Sequence, residues 1–243
     1  MTAGGANGRH SLPFLHHASR AVCPEAATLI CAFRATIRAV PHYFDREPAA
    51  PSRPRQVPLR LPDLSLSLAS DAGVFGHGRV DSGTLFLLRR APAPPAEGDL
   101  LDLGTGYGPI AVTLGLRSPR ARVWGVDVNQ RALELTARNA ATAGAANVIT
   151  AAPDDVPAGM RFAAIYSNPP VRVGLRMLHP LLTEWLDRLD DGAAAHLVVH
   201  RHLGSDSLAR WLGAEGFSVE RMASHDGFRI LRVQARQAVG DDR

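Results

Sequence analysis

From Val57 to Leu68 the run VPLRLPDLSLSL alternates apolar and polar positions, the pattern of strand with one face buried and one in water. The next stretch, DAGVFGHGRVDSGTLFLL, is punctuated by glycines and reads as a loop before a short apolar segment. Together they predict a small β-rich unit. APAPPAEG, residues 91–98, sustains neither a helix nor a central strand, because each proline removes a backbone donor, so it reads as a linker.

Beyond the linker the period changes. DLLDLG is a strand, and PIAVTLGL a helix with Pro109 at its first position, where the missing N–H would have no partner anyway. RVWGVD is a second strand, followed by a helix that Asn129 can cap and Gly144 can stop. NVITA, FAAIYSN, AAHLVVH, FSVERM and FRILRVQA supply further strands, with helices centred on LHPLLTEWLDRL and DSLARWL. Strands alternating with helices of this length imply right-handed crossovers and a largely parallel α/β sheet. The connection ASHDG is too short for a crossover, so the final two strands should pair antiparallel.

A chain of 243 residues is long enough for one main domain with a sizeable core and short for two large ones. With 46% apolar and 21% charged residues it has a soluble globular composition, and no run approaches the ~18 apolar residues of a membrane span. Every basic residue is an arginine, and they are unevenly placed. Residues 1–60 carry eight arginines against Glu25, Asp45 and Glu47, whereas the remainder holds 19 arginines and 20 acids. The basic pI of about 9.8 therefore reports the N-terminal part. Such a segment can favour a phosphate-rich partner or simply be a solvated tail. Residues 1–40, including AATLICAFRATIRAV, lack the form of a secretory signal and read as a peripheral or disordered extension. Cys23 and Cys31 have no histidines at zinc-finger spacing, and a reducing cytoplasmic compartment is the expectation. Three parts follow: the extension over 1–40, the β-rich segment over 41–90 and the main domain over 91–243.

The chemistry concentrates at two places. LDLGTGYG puts Asp102, Gly104, Gly106 and Gly108 at the turn between the first strand of the sheet and its helix. Glycines there let a ligand approach the backbone, and the helix N-terminus offers unpaired N–H groups. Asp127 closes the next strand, about twenty residues on, where a carboxylate can accept both hydroxyls of a ribose. A nicotinamide dinucleotide or S-adenosylmethionine would fit. The acid that opens the motif, a natural partner for a methionine ammonium, favours the second. The sequence LDLGTGYGPIAV…VWGVDVNQRALEL resembles class I methyltransferases. That resemblance implies a Rossmann-like methyltransferase fold: a mostly parallel seven-stranded sheet with an antiparallel last strand, preceded by a small β-rich N-terminal segment. It also implies that Gly104, Gly106 and Gly108 line the methionine end and that Asp127 meets the ribose, with Val128 beside it in the site. Asp154, in APDD, would meet the adenine amino group.

The second place is YSNPP. Methyl transfer is an in-line displacement, so the enzyme must aim a nucleophile's lone pair along the S–CH₃ axis. An amide or aromatic amine is a poor nucleophile because its lone pair is delocalised. A side-chain oxygen and a main-chain carbonyl that accept its two N–H groups can orient it and stabilise the charge developing on nitrogen. Asn168 and the carbonyl of Pro169 suit those roles, with Pro170 stiffening the turn. A strand-ending turn is the plainer reading, and the cofactor motif nearby favours the catalytic one.

GVFGHGRVDSGTLFLL, LDLGTGYG, VDVN, SNPP, VVHRHLGSDSLARWL and GFRILRV together look like the bacterial small-subunit ribosomal RNA guanine-N2 methyltransferase family, over residues 43–235. The resemblance implies that Phe75, Asp81, Gly83 and Thr84 belong to the cofactor pocket, and that the target is the exocyclic amine of a guanine taken out of its stack. The chain departs from that family at Val171, where an aromatic is common, at Ala163, where an acid is common, and at Leu175, where a basic residue is frequent. Val171, Arg172, Arg176 and Arg201 would then meet the substrate, the arginines through phosphates or as solvated surface groups. His196, His200 and His202 invite a metal reading, but no carboxylate or cysteine completes a set, so no metal is expected. Two other readings stay open: methylation of a glutamine side chain in a protein, and a non-catalytic RNA-binding relative.

Overall fold

The structure, a computed structural model, describes residues 50–171 and 174–236. The extension expected over 1–40 with its two cysteines, residues 41–49 and Arg172 lie outside the described residues. The alternating run becomes a hairpin of β1 (Arg55–Arg60) and β2 (Ser65–Ser70), with Val57 opposite Leu68 and Leu59 opposite Leu66. Its apolar face, Val57, Leu59 and Leu68, is buried.

The apolar segment that follows is helix α1 (Ser82–Arg90), so this region is not built of strands alone. The Asp81 carboxylate explains the difference. Its Oδ1 accepts from the N–H groups of Gly83 and Thr84, closing the first turn of a helix that buries Phe86, Leu87 and Leu88.

The main sheet contains β3 (Asp99–Leu103), β4 (Arg122–Val126), β5 (Val148–Ala151), β6 (Phe162–Ser167), β7 (Leu189–His200), β8 (Ser218–His225) and β9 (Phe228–Gln234). Its order is β5-β4-β3-β6-β7-β9-β8. Strands β3 to β7 pair parallel, β9 runs antiparallel to β7, and β8 pairs antiparallel with β9. Helices α2 (Pro109–Arg117), α3 (Gln130–Ala143), α4 (Leu175–Leu186) and α5 (Ser205–Ala214) cover the faces. This is the mostly parallel α/β architecture expected. Asn129 caps α3, and Gly144 ends it in the left-handed conformation. Between β8 and β9 the turn is only Asp226 and Gly227, with φ of 47° and 81°, a two-residue hairpin whose twist matches its strands.

Chain order reverses between β3 and β6, so their carboxyl ends diverge and leave the crevice where open α/β sheets bind ligands. Ser167 levels the two edges: its Oγ donates to the carbonyl of Leu103 at 2.7 Å, aligning the residue before Asn168 with the residue before Gly104. The leading segment is tied across this crevice by α3. Buried Asn139 accepts from the Ala69 N–H at 2.7 Å and donates to the carbonyls of Ala69 and Tyr107, filling both backbone positions of Ala69 as a neighbouring strand would. Arg131 donates to the carbonyls of Ala50 and Ala72, and Asn129 Nδ2 to that of Gly73. Asp71 locks the start of the loop by accepting from Ser52 Oγ and from the N–H groups of Arg53 and Ala72.

Candidate active site

After β3 the chain turns through Gly104, Gly106 and Gly108, all at positive φ. A side chain on Gly104 would meet nothing within 4 Å, so the backbone is bare toward the crevice. Gly106 donates its N–H to Asp127 Oδ2 at 2.9 Å, and Asp127 Oδ1 accepts from the Asn129 N–H at 3.0 Å. Each carboxylate oxygen keeps lone-pair capacity for a ligand hydroxyl. Burial pushes the Asp127 carboxyl above the usual carboxylate range, against the pull of those hydrogen bonds.

Asp102 lies beneath the turn and is fully buried. Its Oδ2 accepts from Thr105 Oγ1 at 2.7 Å and the Ala111 N–H at 2.9 Å, while Oδ1 has no partner. Burial pushes its carboxyl up to about 7, the two hydrogen bonds opposing the shift and the nearby Asp127 charge adding to it. A buried carboxyl oxygen without a partner calls for a cation or a donor from a ligand.

At the end of β6, Asn168 Nδ2 donates to Asp81 Oδ1 at 2.7 Å and to Thr84 Oγ1 at 3.1 Å. Both donor hydrogens of the amide are thereby consumed, and Oδ1 is the atom left for a further partner. The Pro169 carbonyl accepts from the Val171 N–H at 2.8 Å and retains one lone pair. Asp81 thus caps α1 and holds Asn168 with one oxygen, joining the leading segment to the turn after β6.

Asp81, Gly104, Asp127, Asn168 and Pro169 open onto a cavity of about 590 Å³, whose wall does not include Asp102. Its walls include Gly73, Val74, Phe75 and Asp81 from the leading segment, and Gly104 and Asp127 from the turns after β3 and β4. Asn168, Pro169, Pro170 and Val171 form another side, and His200, His202, Leu203 and Phe228 another. Thr84 and Gly106 line an adjoining recess that also touches Asn168. The volume is within the range of small-molecule and cofactor sites.

Residues 65–232 match a family model described as the methyltransferase small domain. The chain belongs to this methyltransferase family. It has the class I methyltransferase fold, and S-adenosylmethionine is the family's methyl donor. It is 30% identical over 196 residues to the uncharacterized protein YbxB of Bacillus subtilis (strain 168), covering 79% of this chain and 98% of that one. To ribosomal RNA small subunit methyltransferase C of Stutzerimonas stutzeri (strain A1501) it is 33% identical over 197 residues, 78% of this chain and 58% of that one. Among solved structures, the T. thermophilus 16S rRNA N2 G1207 methyltransferase, in complex with AdoMet and guanosine, shares the fold with a TM-score of 0.64 at 24% identity. That match covers 78% of this chain and 52% of the other. The chain therefore spans a little over half the length of the methyltransferase C proteins it resembles.

The cavity and its recess bring together Phe75, Asp81, Thr84, Gly104, Gly106, Asp127, Asn168, Pro169, Pro170 and Val171 of the residues singled out in the sequence, while Asp102 lies beneath the turn and lines neither. Phe75, 52% exposed, lines both the cavity and the recess. Gly83 does not line either; a Cβ there would lie 2.8 Å from the Phe228 ring, so its small size is needed for packing. Gly108 is similar, since a Cβ would sit 2.9 Å from Thr136 on α3. Val128 is half-buried behind Asp127 in the chain and is not part of the cavity wall. Asp154 is exposed in the one-turn helix Pro153–Asp155 after β5 and is not among the lining residues. Arg176, in the first turn of α4, and Arg201, in the turn Arg201–Leu203, are exposed and also outside the lining.

The three histidines divide. His196 is buried against Tyr166, ring centroids 5.0 Å apart, and burial holds its imidazole down to about 4. His200 and His202 line the cavity. Among the described residues no group of three or more His, Cys, Asp or Glu is placed to hold a metal ion. No helix among them is long and apolar enough to cross a membrane. Sequence reasoning missed Ser167, Phe228 and the cavity role of His200 and His202. The position of Phe228, directly after an Asp-Gly turn, was the available signal.

The donor set fits S-adenosylmethionine. The Asp127 carboxylate in the cavity wall suits ribose hydroxyls, the backbone at Gly104 is open beside it, and the orphaned Asp102 Oδ1, buried beneath the turn and outside the wall, has the chemistry to suit an ammonium.

Proposed function

We propose that this protein methylates the exocyclic N2 amine of a guanine in 16S ribosomal RNA, in the cytoplasm. The observation that carries the reading is the anchoring of Asn168. Asp81 and Thr84 take both of its N–H groups, so its Oδ1 is presented to a substrate N–H, with the remaining lone pair of the Pro169 carbonyl as the second acceptor. An amine held by two acceptors keeps its lone pair perpendicular to them and directed at one point. When bound, S-adenosylmethionine supplies an electrophilic methyl group on its sulfonium. Asp127 would hold the ribose of the cofactor, Asp102 from beneath the turn would supply the charge for its ammonium, and Phe75 of the leading segment would contact it from the cavity wall. Pro169 and Pro170 keep the turn from relaxing as charge develops on the amine. Arg176 and Arg201, exposed on the turns that flank the carboxyl ends of β6 and β7, contact phosphates of the RNA. Similarity to proteins named ribosomal RNA small subunit methyltransferase C supports the choice of RNA.

The test is transfer of labelled methyl from S-adenosylmethionine to small subunits, large subunits, free RNA and protein extract, followed by digestion of the labelled product. Label on the N2 amine of a guanine in small-subunit RNA, abolished by Asn168→Ala, is expected. Label in a protein glutamine would replace this reading with the amide one.

A further inference from the structure

Val171 gives the turn after β6 no ring with which to hold a planar group. Ring surfaces do line the same cavity, on the side built by β7 and β9. Phe228 opens β9 and pairs in register with His200 at the end of β7. Their rings meet edge to face at 4.7 Å, and the His202 ring lies 5.2 Å from that of His200.

Two glycines make room for this group. A Cβ on Gly227 would fall 2.6 Å from His200 Nε2, and one on Gly83 would fall 2.8 Å from Phe228 Cε1. Gly83 is not in the left-handed region, so the contact with Phe228, and not its backbone angle, is what excludes a side chain there. The turn after β7 is also pinned: the Arg201 N–H donates to the Gly227 carbonyl at 2.7 Å, and the His202 N–H to His200 Nδ1 at 3.3 Å. Gly83 belongs to the helix whose cap, Asp81, holds Asn168. The rings and the catalytic amide therefore rest on one scaffold.

We infer that Phe228 and His202, with His200 wedged between them and the Gly227 backbone, form the wall that holds the target nucleobase, a purine whose exocyclic amine reaches Asn168. This inference rests on the amine-methylating reading above and narrows it. Every nucleobase has an extended π-face that stacks on such rings, whereas a glutamine side chain offers only the small plane of its amide. A wall of rings thus selects a base over a protein amide. His200, half-buried and packed on two sides, positions the other two; His202 is exposed and Phe228 half-buried at the cavity.

The experiment measures kcat/KM for small-subunit RNA and KM for S-adenosylmethionine with the full chain and with His202→Ala, His202→Phe and Phe228→Leu. Stacking on one ring corresponds to a loss of roughly 5- to 150-fold in kcat/KM for RNA on removing it. That loss is expected in His202→Ala and Phe228→Leu with the cofactor KM unchanged, and His202→Phe, which keeps a ring, should restore most of it. Phe228→Leu keeps an apolar side chain against Gly83, so the fold is retained. If the unaltered protein methylates RNA and these variants do so equally well, the wall does not hold the base. A rise in the cofactor KM that accounts for the whole loss would assign the rings to the cofactor and overturn the inference. Label in protein instead of RNA from the unaltered chain would overturn the underlying reading itself.

Discussion

Replacing Asp81 with alanine removes the stronger of the two acceptors that orient Asn168. The Asn168 Nδ2 bond to Asp81 is 2.7 Å long and charge-assisted, while that to Thr84 Oγ1 is 3.1 Å and neutral. A hydrogen bond to a charged group contributes about 1.5–3 kcal/mol and a neutral one about 0.5–1.5 kcal/mol. Asp81→Ala should therefore lower kcat roughly 10- to 150-fold, and Thr84→Val roughly 2- to 12-fold. Asn168→Ala, which removes the acceptor for the amine itself, should cost on the order of 10²- to 10³-fold. If Asp81 acts through Asn168, the double variant Asp81→Ala/Asn168→Ala should be no slower than Asn168→Ala alone, because the amide it would have oriented is gone. The assay is single-turnover methyl transfer at saturating S-adenosylmethionine. Asp81 also caps α1, a contribution of about 0.5–2 kcal/mol to stability, so urea unfolding of each variant accompanies the kinetics. Asp81→Asn retains a capping oxygen and separates the loss of charge from the loss of the cap. Additive losses in the double variant would refute the coupling and make Asp81 a cofactor or folding residue only.

The remaining predictions concern buried titratable groups and one glycine. His196 is depressed to about 4 in the fold against 6.5 unfolded, so its contribution is complete above pH 6.5 and is lost as pH falls toward 4. Between pH 7.5 and 4.5 that amounts to about 2.5 kcal/mol, and His196→Phe should remove that part of the slope in urea melts. Asp102 is raised to about 7 by burial, so without ligand the fold favours its neutral form and loses stability as pH rises toward 7. Only the charged form pairs with an ammonium; S-adenosylmethionine affinity should fall about tenfold from pH 8 to pH 6, and in Asp102→Asn that portion of the pH dependence should be absent from calorimetric titrations. Gly108→Ala places a Cβ 2.9 Å from Thr136 at a φ of 89°, and should cost roughly 1–3 kcal/mol of stability in urea melts, with little change in cofactor affinity of the folded protein.

Local chemistry carried much of the architecture. The strand–helix alternation, Pro109 opening α2, Asn129 and Gly144 bounding α3 and the Asp-Gly turn between β8 and β9 each depend on residues within one turn of one another. They can be read along the chain because the interactions concerned span only a few residues. The glycine turn, Asp127 and the Asn-Pro-Pro turn were legible for the same reason. Helix α1 was not, because the cue lay in the single cap residue Asp81 while the glycines around it pointed to a loop.

What folding alone decided is where these pieces meet. Asn168 takes its orientation from Asp81, 87 positions earlier, and Ala69 takes its backbone partners from Asn139, 70 positions later. Asp154 sits at a strand end, as its position suggested, yet outside the cavity wall, while Phe228 and His200 reach the cavity through the antiparallel pairing of β7 with β9. Periodicity along the chain says which residues face inward and where an element stops. Which inward residue touches which depends on strand order and register, and those follow from packing the whole sheet at once. The sequence by itself determined a glycine turn with its two acids and an Asn-Pro-Pro turn at a strand end; the tertiary structure decided that one carboxylate, Asp81, both caps a helix and holds the Asn168 amide.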